Sequence, residues 1–486
     1  MSVTARNTVI IMADEFNARM FSYYGADRPL TPTLDGLAKC GTLFSNAYCN
    51  SPICVPSRAA FATGRYVHQT ANWDNAHPYD GSIPGWGHAL IAAGHEVVSI
   101  GKLHYRRVGD PNGFSTEIMP MHVANGVGDV LGSVRGRAGG GGGWVARDVG
   151  RGDTDYSRYD QDITRAAVDW LKARAAAVSP KPWVLFVSFV CPHPPFMAPA
   201  AFHDLYERDR LPWPRLRGAG ERAAHPFIRG LLDANDPERH FDEDSIYEAV
   251  AAYYGLCSFI DDNVRQILEA VKTFAGSAEP RVVFTSDHGE SLGRRGLWGK
   301  RSFYEESVAV PLIMAGADVP AGRVCATPVS LVDFHPTVLE AAGEPELCDP
   351  ALPGRSLFGL AGSDDPERMV LSEYHASGAI AAGFMLRRGR YKYIHYVGLE
   401  PQLFDLEDDP DELWDLAASP AFRPLRDELE RTLRTLVDPE AVDQRARADQ
   451  RALVERHGGV EAVLKRGTFG NSPVPGAKPK YMSPTS

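Results

Sequence analysis

Short apolar runs alternate along this chain with longer stretches whose apolar residues recur at helical spacing. The runs Thr8 to Met12, Glu96 to Ile100, Trp183 to Val190, Arg281 to Thr285 and Val308 to Met314 predict buried strands. Between them the 3.6-residue period predicts helices over 32–39, 84–93, 161–177, 245–273 and 329–342. Alternation of this kind predicts an α/β fold with a mostly parallel sheet flanked by helices. Polar residues follow the ends of the strands: Asp14-Glu15 after the first, Lys102 and His104 after the second, His193 after the third, Asp287-His288 after the fourth. Open α/β sheets bind ligands beyond the carboxyl ends of their strands, so four distant segments are expected to meet in one crevice.

The converging residues divide by chemistry. Asp14, Glu15, Asp287 and His288 supply oxygens and one imidazole, a set suited to a hard or borderline divalent cation. Lys102, His104 and His193 supply positive charge or proton donors. Most of the chain's 15 histidines need no functional role, and His68, His77, His88, His95, His203, His225 and His240 are read as ordinary surface or core residues.

A motif sharpens this reading. Cys54-Val55-Pro56-Ser57-Arg58, followed by Ala59 to Phe61 and Ala62-Thr63-Gly64-Arg65, combines a cysteine, a proline suited to a helix's first turn and an arginine one turn on. Residue 54 would then lie at a positive helix end, which favours an alkoxide and an anionic substrate, with Arg58 able to pair with the same charge. The run resembles the signature of the type I sulfatases, in which this cysteine is oxidised to formylglycine. An aldehyde hydrate carries two hydroxyls on one carbon, so one can attack sulfur and the other can expel sulfate. An ordinary serine or cysteine ester would need a second attack.

The resemblance extends from about residue 7 to 440 and implies an alkaline phosphatase-like fold. It implies that Asp14, Glu15, Asp287, His288 and the modified Cys54 hold one divalent metal, which lowers the pKa of the bound hydrate. Glu15 either reaches the metal or faces a neighbouring cation. The Asp287-His288 pair resembles the choline-sulfatase and phosphonate-monoesterase branch, and its imidazole admits Mn²⁺ while Ca²⁺ stays open. Gly101-Lys102-Leu103-His104 resembles the Gly-Lys-x-His element of arylsulfatases, and Lys300 matches the lysine after the second metal segment. By resemblance Lys102, His193 and Lys300 bind the sulfate oxygens, His193 or Lys300 protonates the leaving group, and His104 is the base for sulfate elimination. Asn75 matches an asparagine that donates to the ester oxygens in the phosphonate-monoesterase branch.

The implied activity is hydrolysis of aryl or alkyl sulfate monoesters, with phosphonate monoester or phosphodiester hydrolysis as the alternative. A binding protein that has lost catalysis is expected to lose its nucleophile or metal carboxylates, and both are here. For choline itself, quaternary ammonium recognition wants aromatic faces, and Ser115 to Gly143 contains none; Glu373 could face a cation.

Composition bounds the rest. A net charge of -11 argues against a nucleic-acid or anionic-membrane surface, so positive charge at the site must be local. Seven cysteines without metal spacing fit a reducing compartment better than a disulfide framework. No apolar run reaches membrane-spanning length and no signal segment leads the chain, so the expectation is cytoplasmic. The organisation read from sequence is a catalytic domain over 1–345, a C-terminal antiparallel subdomain over 346–440 built from strands near 369–373, 382–387, 391–396 and 402–405 with a helix over 422–436, and a helical stretch with an extended tail over 441–486. The glycine run 139–143 reads as a flexible surface loop or a lid. The Pro-rich tail is expected to dock on a neighbouring chain of a homo-oligomer, a dimer or tetramer. Besides a small sulfate ester, a formylglycine-generating enzyme is the expected partner.

Overall fold

The computed structural model describes residues 3–25, 28–136, 143–175, 181–218, 221, 224–234, 240–274 and 280–482. Residues 139–142 of the glycine run, read as a loop or lid, lie outside the described residues.

Eight strands form the main sheet: β1 (Thr8–Asp14), β2 (Gly41–Phe44), β3 (Val97–Lys102), β4 (Thr116–Met121), β5 (Val184–Pro192), β6 (Arg281–Ser286), β7 (Leu312–Ala315) and β8 (Arg323–Cys325). Their spatial order is β8-β2-β7-β6-β1-β5-β3-β4. β7 runs antiparallel to β6 and β2, and every other neighbouring pair is parallel. The central strands β1, β3, β5 and β6 are buried along their whole length, so both faces are covered and the strands read as unbroken apolar runs. Alternation still sorts their side chains: Ile10 and Met12 enter one core, Val9 and Ile11 the other.

The main helices are α1 (Pro32–Cys40), α2 (Cys54–Thr63), α3 (Asp155–Ala175), α4 (Glu243–Phe274) and α5 (Phe334–Ala342). α3 and α4 cover one face of the sheet, α2 and α5 the other. At two of the boundaries that differ from expectation the reason is local. The strand expected from Val308 begins at Leu312, because Glu305–Val308 form a helical turn and Pro311 has no N–H to give a ladder. The helix expected from 329 begins at Phe334; Val329–Ser330 instead pair with Ala47–Tyr48, and Asp333 accepts the Ser330 N–H at 2.8 Å.

The C-terminal part forms a four-stranded antiparallel sheet of consecutive strands, β9 (Met369–Tyr374), β10 (Gly383–Arg388), β11 (Tyr391–Tyr396) and β12 (Gln402–Asp405). Helix α6 (Arg423–Leu436) buries Leu429 and Leu433 against Leu371, Phe384 and Tyr393. Helix α7 (Pro439–Arg456) then returns to the main body, where Asp449 accepts from Trp73 Nε1 at 2.8 Å and Gln450 donates to Asp74 at 2.8 Å. After α8 (Gly459–Arg466) the chain continues as an extended arm.

That arm, expected to dock on a neighbouring chain, also has contacts within its own chain: Thr468 bridges to Met482, Thr468 Oγ1 donates to Asp129 at 2.5 Å, and Val474 packs on the core under α3 and α4. The prolines do exclude a helix, but Phe469 is buried and gives the arm an anchor in cis.

Candidate active site

The turn after β1 is tied across to β6. Asp287 Oδ1 accepts the Glu15 N–H at 3.2 Å, Ser286 Oγ accepts the Phe16 N–H at 2.9 Å, and Tyr253 from α4 donates its hydroxyl to the Glu15 carbonyl at 2.8 Å. These bonds hold Glu15 at φ 68°, a left-handed conformation that a glutamate adopts only under constraint.

Helix α2 starts at Cys54, and all ten of its residues are buried. Its small residues Ala59, Ala60 and Ala62 let a whole helix enter the core, and Asn75 Oδ1 accepts the Val55 N–H at 3.0 Å at the otherwise unsatisfied end. Ser57 Oγ donates to the Asp287 carbonyl at 2.5 Å, fastening α2 to the end of β6.

This local geometry brings Asp14, Cys54, Asp287 and His288 together, with one ligand atom of each within 4.8 Å of the others. Cys54 Sγ is 3.2 Å from His288 Nε2 and 3.9 Å from Asp14 Oδ1. His288 Nε2 lies 3.7 Å from Asp14 and 3.6 Å from Asp287, while its Nδ1 faces the Gly289 carbonyl at 3.1 Å. Asp14, Glu15 and His193 form a second such group. Glu15 is therefore set beside the first group: its carboxylate accepts from Lys300 Nζ at 2.7 Å and lies 3.5 Å from His193 Nε2.

Burial and charge set the protonation. Burial pushes the Cys54 thiol up to about 11, so an unmodified thiol is neutral at pH 7 and is not the low-pKa thiolate of a cysteine nucleophile. Burial lowers Lys102 to about 7 and His288 to about 4. It also carries His104 and His193 well below the usual imidazole range, helped by neighbouring lysines. Burial would raise Asp287, but His288, Arg58, Lys102 and Lys300 outweigh it and hold the carboxylate far below its ordinary value. Two wholly buried carboxylates facing one imidazole nitrogen are the donor set of a divalent cation with mixed oxygen and nitrogen ligands, so Asp14, Asp287 and His288 fit such an ion.

A cavity of about 130 Å³ opens over residue 54, lined by Cys54, Asn75, Lys102, His104, His193 and Lys300. Arg58 stands behind it. Its guanidinium donates to Asp287 at 2.8 Å, to the Lys102 carbonyl at 2.9 Å and to Ser188 at 2.9 Å, and lies 3.7 Å from Asp14. It thus orients carboxylates instead of lining the pocket. Lys102 Nζ bonds Asp14. Glu373, read as able to face a cation, is spent on His68 at 2.7 Å and His375 at 3.1 Å and does not line the cavity. His77, His88, His95, His203 and His225 likewise have partners elsewhere.

Several lining residues left no signal in the sequence. Tyr156, from the start of α3, stands with its ring 6.0 Å from that of His193. The arm adds Thr468, Phe469 and Ser472, and Ser472 Oγ lies 2.7 Å from His104 Nε2 while its carbonyl accepts from Tyr156 at 2.5 Å. The aromatic faces missing from Ser115–Gly143 come from Tyr156, Trp298 and Phe469. None belongs to a motif; only the fold gathers them.

The chain resembles known proteins along most of its length. Residues 6–344 match the sulfatase family, and residues 293–438 match the region described as N-sulphoglucosamine sulphohydrolase, C-terminal. A choline-sulfatase of Rhizobium meliloti (strain 1021) is 32% identical over 99% of this chain and 96% of its own. An arylsulfatase K of Danio rerio is 31% identical over 90% and 85%. The crystal structure of a phosphonate monoester hydrolase of Agrobacterium radiobacter superposes with a TM-score of 0.72, at 24% identity, over 89% of this chain and 95% of that one. The fold is alkaline phosphatase-like. The chain belongs to the sulfatase family: it is a sulfuric ester hydrolase acting on sulfate monoesters.

Proposed function

We propose that the chain hydrolyses aryl or alkyl sulfate monoesters with a formylglycine hydrate formed from Cys54, and that it holds one divalent cation, Mn²⁺ or Ca²⁺, on Asp14, Asp287, His288 and residue 54, with Glu15 at its side. The observation that carries this reading is the meeting of Asp14, Cys54, Asp287 and His288 at the start of a buried helix. A bound cation would supply charge to acidify the hydrate of residue 54.

The remaining roles follow from the chain's own groups. Lys102, His193 and Lys300 line the cavity and bind the sulfate oxygens. Asn75 spends its carbonyl oxygen on Val55, which leaves its amide N–H groups for the ester oxygens. His193 or Lys300 gives a proton to the leaving alcohol. His104, whose Nδ1 is buried without a hydrogen-bond partner, takes the proton when sulfate is expelled. Arg58 holds Asp287 and Asp14 in place.

A phosphate diester or phosphonate monoester carries the same single charge as a sulfate monoester, so this cationic cavity accommodates those esters as slower, promiscuous substrates. Maturation needs a formylglycine-generating enzyme, and seven free thiols suit a reducing compartment such as the cytoplasm.

Co-expression with a formylglycine-generating enzyme tests the reading. The peptide spanning Ser51 to Arg58 is expected to carry an aldehyde at residue 54, and the protein to turn over sulfate esters. Cys54→Ala is expected to abolish turnover and keep the fold. Full activity from the unmodified thiol would overturn the mechanism.

A further inference from the structure

The cations around the cavity are not equivalent. Lys102 is paired with Asp14, and Lys300 with Glu15 at 2.7 Å. Arg301 also lines the cavity, and among the described residues no carboxylate forms an ion pair with it; its Nε is buried without a hydrogen-bond partner. Its backbone is fixed at φ 95°, a left-handed conformation costly for a non-glycine residue, and its N–H donates to the Pro52 carbonyl at 3.1 Å. A guanidinium held in a site by strained backbone, with no partner of its own, has donors to give to a ligand.

The acids around the same cavity are engaged. Glu15 serves Lys300, and Asp129 accepts from the Leu131 N–H at 3.1 Å and from Thr468 Oγ1 at 2.5 Å. The aromatic faces of Tyr156, Trp298 and Phe469 would suit a flat or apolar alcohol.

We infer that Arg301 is a specificity-determining residue that binds a second anionic group on the alcohol, so that the preferred substrates are sulfate esters whose leaving group carries a carboxylate or another sulfate. Of the lining cations Lys102, Lys300 and Arg301, Arg301 alone has no carboxylate ion pair among the described residues, and a planar guanidinium matches either oxyanion through two parallel hydrogen bonds. The inference rests on the sulfatase reading and names the substrate class of that same site.

The test compares kcat/KM of the formylglycine-bearing enzyme on 4-nitrophenyl sulfate, on its ring-carboxylated counterpart and on choline sulfate. The carboxylated ester is expected to be preferred over the neutral one by about tenfold or more, the range of a charge-assisted pair, and choline sulfate to be the poorest. In Arg301→Ala that preference is expected to collapse towards one, and in Arg301→Glu to invert in favour of choline sulfate. Melting curves establish that each variant is folded, and with two variants the preference can be read from either. A wild-type enzyme that shows no preference, one that prefers choline sulfate, or a preference that survives both substitutions overturns the assignment. Turnover of none of the three esters would instead overturn the sulfatase mechanism.

Discussion

Arg58 shows how a motif residue can do something other than its spacing implies. One helical turn after residue 54, it was free to point at the substrate, but its guanidinium turns to Asp287 and Asp14 in the protein interior. Removing it takes from buried Asp287 its directly bonded cation and leaves Asp14 with Lys102 alone, so Arg58→Ala in the metal-free protein is expected to lower stability by about 3 kcal/mol in chemical denaturation. Asp287→Asn is expected to bring metal content below about a tenth of one ion per chain and to lower kcat/KM by about 100-fold or more, read by elemental analysis and kinetics. Glu373 carries a pH signature. Burial would raise its pKa, but His68 and His375 outweigh burial and hold it at about 2. A carboxylate depressed from an unfolded value of about 4.3 contributes stability above that pH and loses it as pH falls towards 2. Wild type is therefore expected to melt roughly 2–5 °C above Glu373→Gln near pH 5, with the gap closing by pH 2.

At the scale of elements, the site depends on how strand ends are fastened. Asp160 on α3 accepts the N–H groups of Val190 and Cys191, both at 2.8 Å, as β5 ends before His193. Asp160→Ala would leave two buried donors unpaired, an expected loss of about 2 kcal/mol or more in denaturant unfolding. It is also expected to lower kcat/KM by about tenfold, because His193 loses its fixed mount. The central strands and long helices were legible in sequence because burial on both faces gives unbroken apolar runs and helix packing gives a sustained period. β2, β4 and β8 were not. β4 is half-exposed for most of its length, so no face is apolar enough to mark it, and β8 has only three residues.

At the scale of the whole molecule, the C-terminal arm lines one side of the pocket, a role not legible in its sequence. Truncation after Arg466 removes Phe469 and the Ser472 contact with His104, so turnover is expected to fall by about tenfold or more. Light scattering checks the separate expectation that the arm also docks on a neighbouring chain of a homo-oligomer: fewer chains per particle after truncation are expected, and an unchanged number would overturn it. The sequence by itself determined the α/β class, the Cys54 motif, the two acidic segments after β1 and β6, and the family these imply. These are local signals: periodicity, strand-end polarity and a short run of fixed residue types. What only the tertiary structure decided is direction and company. It turned Arg58 and Glu373 inward, set Glu15 on Lys300, drew Tyr156, Trp298 and the arm to the cavity, and left the Arg301 guanidinium without an ion pair among the described residues. Such choices depend on which distant charge or surface lies within a few ångströms, and spacing along the chain does not encode that distance.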